Sequence, residues 1–170
     1  MTLKPANYNY RRTNGTSLTG GREMGYVYAD IELINEDHLA LHRHGMLPEE
    51  EIKRVTCRVL VDTGAWDLVI NEDVQKRLNL QVLERRTVKL ADETLLDVDI
   101  VGPIEIRFEN RRTRVDAVLL PDTSEVLLGA YPLQGLDAFI DAKQERLLVH
   151  PEFDNPKSYI RPVRSVSLSI

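Results

Sequence analysis

The sequence predicts a single all-β domain with one or two short helices, and three observations support that fold class. The chain has 170 residues, of which 42% are hydrophobic and 29% charged, as in a soluble globular domain large enough to bury a core. Its apolar residues fall in short segments rich in β-branched side chains, several of which alternate with polar residues. Short polar connections separate these segments, as expected for strands that follow one another closely.

Charge is spread unevenly along the chain. Residues 1–22 contain four basic residues and no acidic one, and residues 157–170 contain three basic residues and no acidic one. The whole chain has a formal net charge of −5, and the two ends contribute +4 and +3. Residues 23–156 therefore have a net charge of −12. We expect 1–22 to be a disordered basic tail, 23–156 to be the folded domain and 157–170 to be a basic segment that is a candidate interface strand. Solvated tails are the simpler interpretation, with a contact to RNA or an acidic partner as the alternative.

Composition also excludes several classes of protein. Cys57 is the only cysteine, so neither an intramolecular disulfide nor an all-cysteine zinc site can form, and we expect a reducing, cytoplasmic location. No apolar run approaches the roughly 18 residues that a membrane span requires, and the polar start lacks a secretory h-region. The acidic total argues against a nucleic-acid binder.

The first part of the body predicts a strand, a loop and histidines at the surface. Residues 26–34 are β-branched and aromatic, and residues 35–51 predict a loop with a short helical piece after Pro48. His38 and His42 have the i, i+4 spacing of two metal ligands on a helix. However, Leu39 stands where a zinc peptidase has its basic glutamate. We therefore expect no metal and no other cofactor.

The rest of the body predicts further strands and two helices. Asn71 is a plausible N-cap for a helix over residues 72–80. Residues 91–94 predict the turn of a hairpin. The predicted strands are 55–61, 86–90, 95–101, 104–108, 113–120 and 126–128. A second short helix over residues 132–139 precedes a closing strand or hairpin over 140–150.

Asp62-Thr63-Gly64 directly follows the apolar segment 55–61. A carboxylate at such a place is costly to bury unless it is hydrogen-bonded, so its presence needs a reason. Gly64 permits the close approach of another backbone, and Thr63 offers a hydroxyl to hold it. Taken alone, the tripeptide fits an Asx turn at a strand end equally well.

Leu127-Leu128-Gly129 repeats this arrangement without the carboxylate, as an apolar segment that ends in glycine before a short helix. With these two motifs, a flap-like hairpin at residues 88–98 and a closing helix and strand, residues 24–151 resemble the retropepsin-like aspartic peptidases. The resemblance is greatest to their bacterial single-domain members. It implies a closed β-barrel and an active site formed by two chains.

Aspartic peptidases hydrolyse peptide bonds with two facing carboxylates that share one proton. Asp62 is the one good candidate here, because Asp122-Thr123-Ser124 follows a proline, lacks a glycine and is typical of a turn. The second catalytic aspartate is then expected to be Asp62 of another chain, across the twofold axis of a homodimer. By resemblance, Thr63 bonds across that axis and Gly64 accepts the substrate backbone.

The resemblance also implies a set of substrate-binding positions: Ala65, Trp66, Asp67, Asp92, Leu128 and Gly129. Retroviral enzymes commonly place an aspartate after the first motif and an arginine after the second, where this chain has Trp66 and Ala130-Tyr131. Trp66 is either the wall of an apolar subsite or a core aromatic, and Asp67 is a candidate replacement for the missing contact. The hairpin tip around Asp92 has no glycine, which predicts a stiffer or more open flap.

The sequence thus predicts an aspartic endopeptidase, a hydrolase acting on polypeptide substrates as a homodimer. The alternative is a weak or inactive dimer of the same fold that holds extended peptides or serves in assembly. The two departures from the retroviral pattern favour that alternative.

Overall fold

The strands of the computed structural model close on themselves. The structure describes residues 25–90, 92–121, 123 and 125–151, so the predictions for 1–22 and 157–170 lie outside the described residues. The described strands are β1 (Val27–Asn35), β2 (Arg54–Val61), β3 (Leu68–Ile70), β4 (Gln81–Lys89), β5 (Leu95–Phe108), β6 (Arg111–Leu119), β7 (Val126–Leu128), β8 (Ala138–Asp141) and β9 (Arg146–Val149). The helices are α1 (Glu36–Arg43), α2 (Glu72–Leu78) and α3 (Ala130–Gly135), with a 3₁₀ turn at Glu49–Glu51.

Six strands form a closed barrel. Neighbours follow the order β1-β2-β7-β3-β6-β5, and β5 pairs back onto β1 through Glu32 to Asn35. β4 stands outside this ring and pairs with β5 as the other arm of a hairpin, while β8 and β9 form a separate hairpin. The predicted all-β class and the closed barrel are confirmed.

The barrel interior is filled by the apolar positions of its strands. Alternation along β1 and β2 turns Ile31, Leu33 and Val59 inward, and each is 1% exposed or less. Leu68 of β3 and Leu128 of β7 are fully buried at the centre of the sheet. These two short strands are apolar throughout rather than alternating, because both of their faces are covered.

Helix α1 lies where the sequence predicts a loop, and it brings the described α-helices to three instead of one or two. Its start is fixed by Asn35, whose side chain accepts a hydrogen bond from the His38 amide at 3.1 Å. The Asn35 amide group also donates to the Leu78 carbonyl at 2.9 Å, which ties the start of α1 to the end of α2. The helical piece predicted after Pro48 is present as the 3₁₀ turn.

Helix α2 follows β3, and helix α3 follows β7, the strand that pairs with the end of β2. Asn71 caps α2 as predicted, accepting from the Val74 amide at 3.0 Å. α3 begins immediately after Gly129, and α2 is capped at its C-terminus by Asn79, which takes a left-handed conformation with φ of 53°. Within the described ranges, every helix is too short or too polar to cross a lipid bilayer.

Candidate active site

Asp62 lies at the end of β2, where this strand runs parallel to β7. Its amide donates to the Leu128 carbonyl at 3.0 Å, so the first residue of the Asp62 loop is still held by the neighbouring strand. The Asp62 side chain accepts from the Gly64 amide at 2.8 Å, and the Ala65 amide donates to the Asp62 carbonyl at 3.1 Å. The Asx turn weighed from the sequence is therefore present, and it fixes one oxygen of the carboxylate.

The residues of the Asp62 loop differ in how far they are exposed to solvent. Ala65 is buried, at 1% exposure, while Asp62 is half-buried and Thr63 and Gly64 are exposed. The carboxylate thus sits at the edge of the barrel core with its two following residues facing outward. A partner subunit or a peptide can reach it without rearrangement of the barrel.

The two glycine motifs are joined by backbone contacts. The Ala130 amide donates to the Ala65 carbonyl and the Tyr131 amide to the Trp66 carbonyl, both at 2.9 Å. Gly129 has an ordinary φ of −83°, but a side chain there would lie 2.4 Å from the Asp67 carbonyl oxygen. The glycine is required by this close approach and not by its own conformation.

Trp66 and Tyr131 form an exposed aromatic pair beside this junction. Their ring centroids are 5.9 Å apart at an interplanar angle of 32°, and the residues are 47% and 50% exposed. Trp66 is therefore not a core aromatic, which removes one of its two interpretations. Trp66 and Tyr131 lie at the two positions where the sequence departs from the retroviral pattern. An aromatic pair therefore takes the place of the aspartate–arginine pair of that pattern.

Asp67 is half-buried at the start of β3 and lies near Asp116 on β6. Burial raises the pKa of Asp116, and the neighbouring carboxylates Glu84 and Asp67 raise it further, whereas Arg86 opposes them. Sequence reasoning missed Asp116, because an aspartate at an outward position of an alternating strand is indistinguishable from ordinary surface polarity.

The hairpin of β4 and β5 carries the tip that contains Asp92. The Leu90 amide donates to the Thr94 carbonyl at 2.8 Å, and the Asp92 side chain accepts from the Thr94 amide at 3.0 Å. Glu93 supplies the left-handed residue with φ of 68°, the place a glycine would normally take. An ion pair between Lys89 and Glu93 at 3.3 Å also spans the tip. The glycine-free tip is thus a locally bonded turn.

An apolar surface continues from this hairpin toward the Asp62 loop. Five buried residues form one cluster that joins the hairpin arms to β3 and β6: Val69, Val88, Val98, Ile100 and Val118. Leu90, Leu120 and Leu127 pack against it and are only partly buried. Since Leu127 precedes Leu128, whose carbonyl binds the Asp62 amide, the cluster extends to the strand that holds the Asp62 loop.

His38 and His42, the spaced histidines of α1, are engaged with the backbone. His38 Nδ1 accepts from the Lys53 amide at 3.2 Å, and His42 Nδ1 lies 2.9 Å from the Leu47 carbonyl. These contacts fasten the loop after α1 to the helix.

Comparison with known proteins bears on this site directly. Residues 50–131 match a family model described as aspartyl protease, which confirms the resemblance predicted from the two glycine motifs. The matched span includes the Asp62 loop, the hairpin and Gly129. No curated protein sequence matches the chain.

The solved structures that are similar to this chain include three at low identity. The retroviral protease-like domain of Ddi1 from Leishmania major is 16% identical, with a TM-score of 0.48 over 74% of this chain and 89% of that chain. The EIAV protease complexed with the inhibitor HBY-793 is 18% identical, with a TM-score of 0.42 over 72% and 98%. A retropepsin-like aspartic protease from Rickettsia conorii is 16% identical, with a TM-score of 0.42 over 71% and 80%.

Proposed function

We propose that this chain, whose residues 50–131 match the aspartyl protease family, is one subunit of a homodimeric aspartic endopeptidase. The observation that carries the proposal is the position of Asp62. Its carboxylate is half-buried at the end of two parallel strands, it is oriented by the Gly64 amide, and exposed residues follow it. One such carboxylate is half of an aspartic dyad, so a second copy of the chain completes it.

The reaction needs one proton shared between the two Asp62 carboxylates. The ionised carboxylate takes a proton from a water molecule as the water oxygen attacks the peptide carbonyl carbon, and the protonated one gives its proton to the carbonyl oxygen. Collapse of the tetrahedral intermediate breaks the C–N bond. The carboxylate that took the water proton gives it to the leaving amine, and the other carboxylate takes a proton from a hydroxyl of the intermediate, which restores the shared proton. Activity is lost when both carboxylates are protonated or both are ionised.

The chain's own residues prepare this chemistry before a substrate arrives. The Gly64 amide holds one Asp62 oxygen, and the backbone bonds to Leu128 and from Ala130 anchor both ends of the loop. A carboxylate held in this way needs little reorganisation in the transition state. Thr63, exposed at the loop apex, is in place for a contact with the second subunit.

An extended peptide would lie between the Asp62 loop and the hairpin tip. The half-buried leucines at positions 90, 120 and 127 offer apolar contacts, and the Trp66–Tyr131 pair offers a further aromatic wall at its end. We assign Ala65, Asp67, Asp92, Leu128 and Gly129 to the same groove as supporting positions. Ala65 and Leu128 act through the packing of the loop, because both are buried.

A second candidate function is a peptide-holding module with little or no proteolysis. The hairpin tip favours it, because two hydrogen bonds and an ion pair hold the Glu93 turn in one conformation, whereas a lid tip commonly changes shape as it closes over a peptide. In that case the dimer would bind extended segments without cutting them.

Cleavage of denatured casein between about pH 3 and pH 7 tests the proposal, with molecular mass measured in parallel. The parent protein and Asp37→Asn, a control that removes one exposed charge on α1, should cleave as dimers, and Asp62→Asn should not. Cleavage by Asp62→Asn at the parent rate would overturn the proposal. A dimer that binds casein without cleaving it would favour the second candidate.

A further inference from the structure

Exposed aromatic side chains flank the Asp62 loop on both of its sides. On the side of β7 and β3 stands the contacting pair of Trp66 and Tyr131, which are 47% and 50% exposed. On the side of β1 stands Tyr26, which is 63% exposed. Continuing the antiparallel register of β1 and β2 by one residue beyond its last pair places Tyr26 opposite Asp62. Asp62 therefore lies between an aromatic pair and a single tyrosine.

A twofold axis close to Asp62 would bring these two aromatic groups together. A site that needs Asp62 from both subunits has its axis near that residue. In an isologous interface, residues that lie on opposite sides of the axis in one subunit face each other across the interface. Tyr26 and the Trp66–Tyr131 pair lie on opposite sides of β2, the strand that ends at Asp62. Tyr26 of one subunit would thus face the aromatic pair of the other, and the contact would occur twice.

The chemistry of the three aromatic side chains suits contact with a second copy of this chain. Residues 23–156 have a net charge of −12, so two copies repel each other. An isologous contact brings groups near the axis close to their own copies, which makes charged groups unfavourable there. Tyrosine and tryptophan avoid this repulsion, and they are enriched among the residues that dominate the binding energy at the centre of interfaces.

The exposed area of these side chains is substantial on the scale of a dimer interface. A tyrosine or tryptophan buries roughly 150–250 Å² when it is covered, so three of them that are about half exposed offer roughly 300 Å² per subunit. A standard interface buries about 800 Å² per partner. The aromatic contact would therefore supply about a third of such an interface, and the exposed residues Thr63 and Gly64 adjoin it.

We propose that Tyr26 of one subunit packs on the Trp66–Tyr131 pair of the other, and that this contact, formed twice, holds the two Asp62 carboxylates together. The inference rests on the proposed function, since it assumes that a second copy completes the site. It adds the surface through which that copy binds. The aromatic pair then marks the place where the peptide groove ends and the second subunit begins.

Trp66 is the only tryptophan of the chain, so its fluorescence reports on this contact. The test uses full-length Asp62→Asn, which cannot cleave itself, and follows Trp66 emission and sedimentation mass over one dilution series. We expect the emission maximum to shift to longer wavelength as dimers dissociate, because the exposed half of Trp66 is covered only in the dimer. A loss of dimer mass without a change in Trp66 emission would overturn the contact.

Tyr26→Ala, made in the same background, should weaken the dimer. Truncating one central interface aromatic commonly raises Kd about thirtyfold, and the contact occurs twice, so we expect the dimer Kd to rise about a thousandfold. Tyr26→Phe keeps the ring and should stay within about tenfold of the parent. Met46→Ala is the control, because Met46 is 72% exposed but lies beyond α1, at the far end of β1. Equal Kd values for Tyr26→Ala and Met46→Ala, with both folded by circular dichroism, would overturn the contact.

Casein cleavage by the same variants with Asp62 restored separates this inference from the proposed function. Cleavage by a dimer whose Kd does not depend on Tyr26 would support the peptidase and overturn the contact. A dimer that depends on Tyr26 and binds casein without cleaving it would support the contact and contradict the peptidase. Trp66 emission that responds to added casein peptides but not to dilution into monomers would assign the aromatic pair to the groove alone and overturn the contact.

Discussion

Gly129→Ala should disrupt the junction between the two glycine motifs. The added methyl group would lie 2.4 Å from the Asp67 carbonyl oxygen and 2.7 Å from the carbonyl group of Trp66. Both neighbours are backbone, so no side chain can turn away and the Asp62 loop itself must move. Three interloop hydrogen bonds depend on the present spacing, the donors being the amides of Asp62, Ala130 and Tyr131.

Overpacking of this kind lowers the free energy of unfolding by about 1–3 kcal/mol, and because the same shift strains three hydrogen bonds we expect a loss at the upper end, about 3 kcal/mol. For a chain of this size that lowers Tm by about 6–12 °C. Gly45→Ala is the matched control, because nothing lies within 4 Å of its added methyl group and only its φ of 70° is unfavourable. The control should cost about 1 kcal/mol. A thermal shift for Gly129→Ala no larger than that of Gly45→Ala, measured by calorimetry, would refute the close-approach reasoning.

Three further predictions concern burial, capping and the hairpin tip. Burial raises the pKa of the Cys57 thiol to about 11. Iodoacetamide at about pH 8 should therefore alkylate the folded protein about a hundredfold more slowly than the urea-unfolded chain, and equal rates would contradict this assignment. In urea denaturation, Asn35→Ala should lower the free energy of unfolding by about 2–3 kcal/mol and Asn71→Ala by about 1 kcal/mol. The larger loss is expected because Asn35 both caps α1 and binds the Leu78 carbonyl, whereas Asn71 only caps α2. Equal losses would be inconsistent with the second role of Asn35. Glu93→Gly should be neutral or stabilising by up to about 1 kcal/mol, whereas Glu93→Val should destabilise, since Glu93 is left-handed; the reverse order would refute that conformation.

The sequence predicts most of the barrel because its strands depend on local patterns. The alternation before Asp62, the capping residue Asn71 and the turn that contains Asp92 and Thr94 each reflect a local preference, and each is present in the structure. Helix α1 was missed because its residues are mostly polar, and its stability comes from Asn35 and from contacts with β5 that only the folded chain provides.

The candidate site divides in the same way. Asp62 and Gly129 could be named from motifs, and the structure brings their loops into hydrogen-bonding contact. The contact between Trp66 and Tyr131 could be suspected from the sequence only because the aspartate and the arginine of the retroviral pattern are both absent at these positions. Asp116 could not be found, since its closeness to Asp67 depends on the parallel pairing of β3 with β6 across a long separation in the sequence.

Mixing of the parent chain with inactive Asp62→Asn subunits tests the shared dyad most directly. If each active site needs Asp62 from both subunits and the chains exchange at random, only dimers of two parent chains are active. Diluting the parent into a ninefold excess of Asp62→Asn should then reduce cleavage per parent chain to about one tenth, whereas the same excess of Asp37→Asn should not. Cleavage per parent chain that stays constant across the Asp62→Asn titration, with subunit exchange verified by mass, would contradict a site built from two chains.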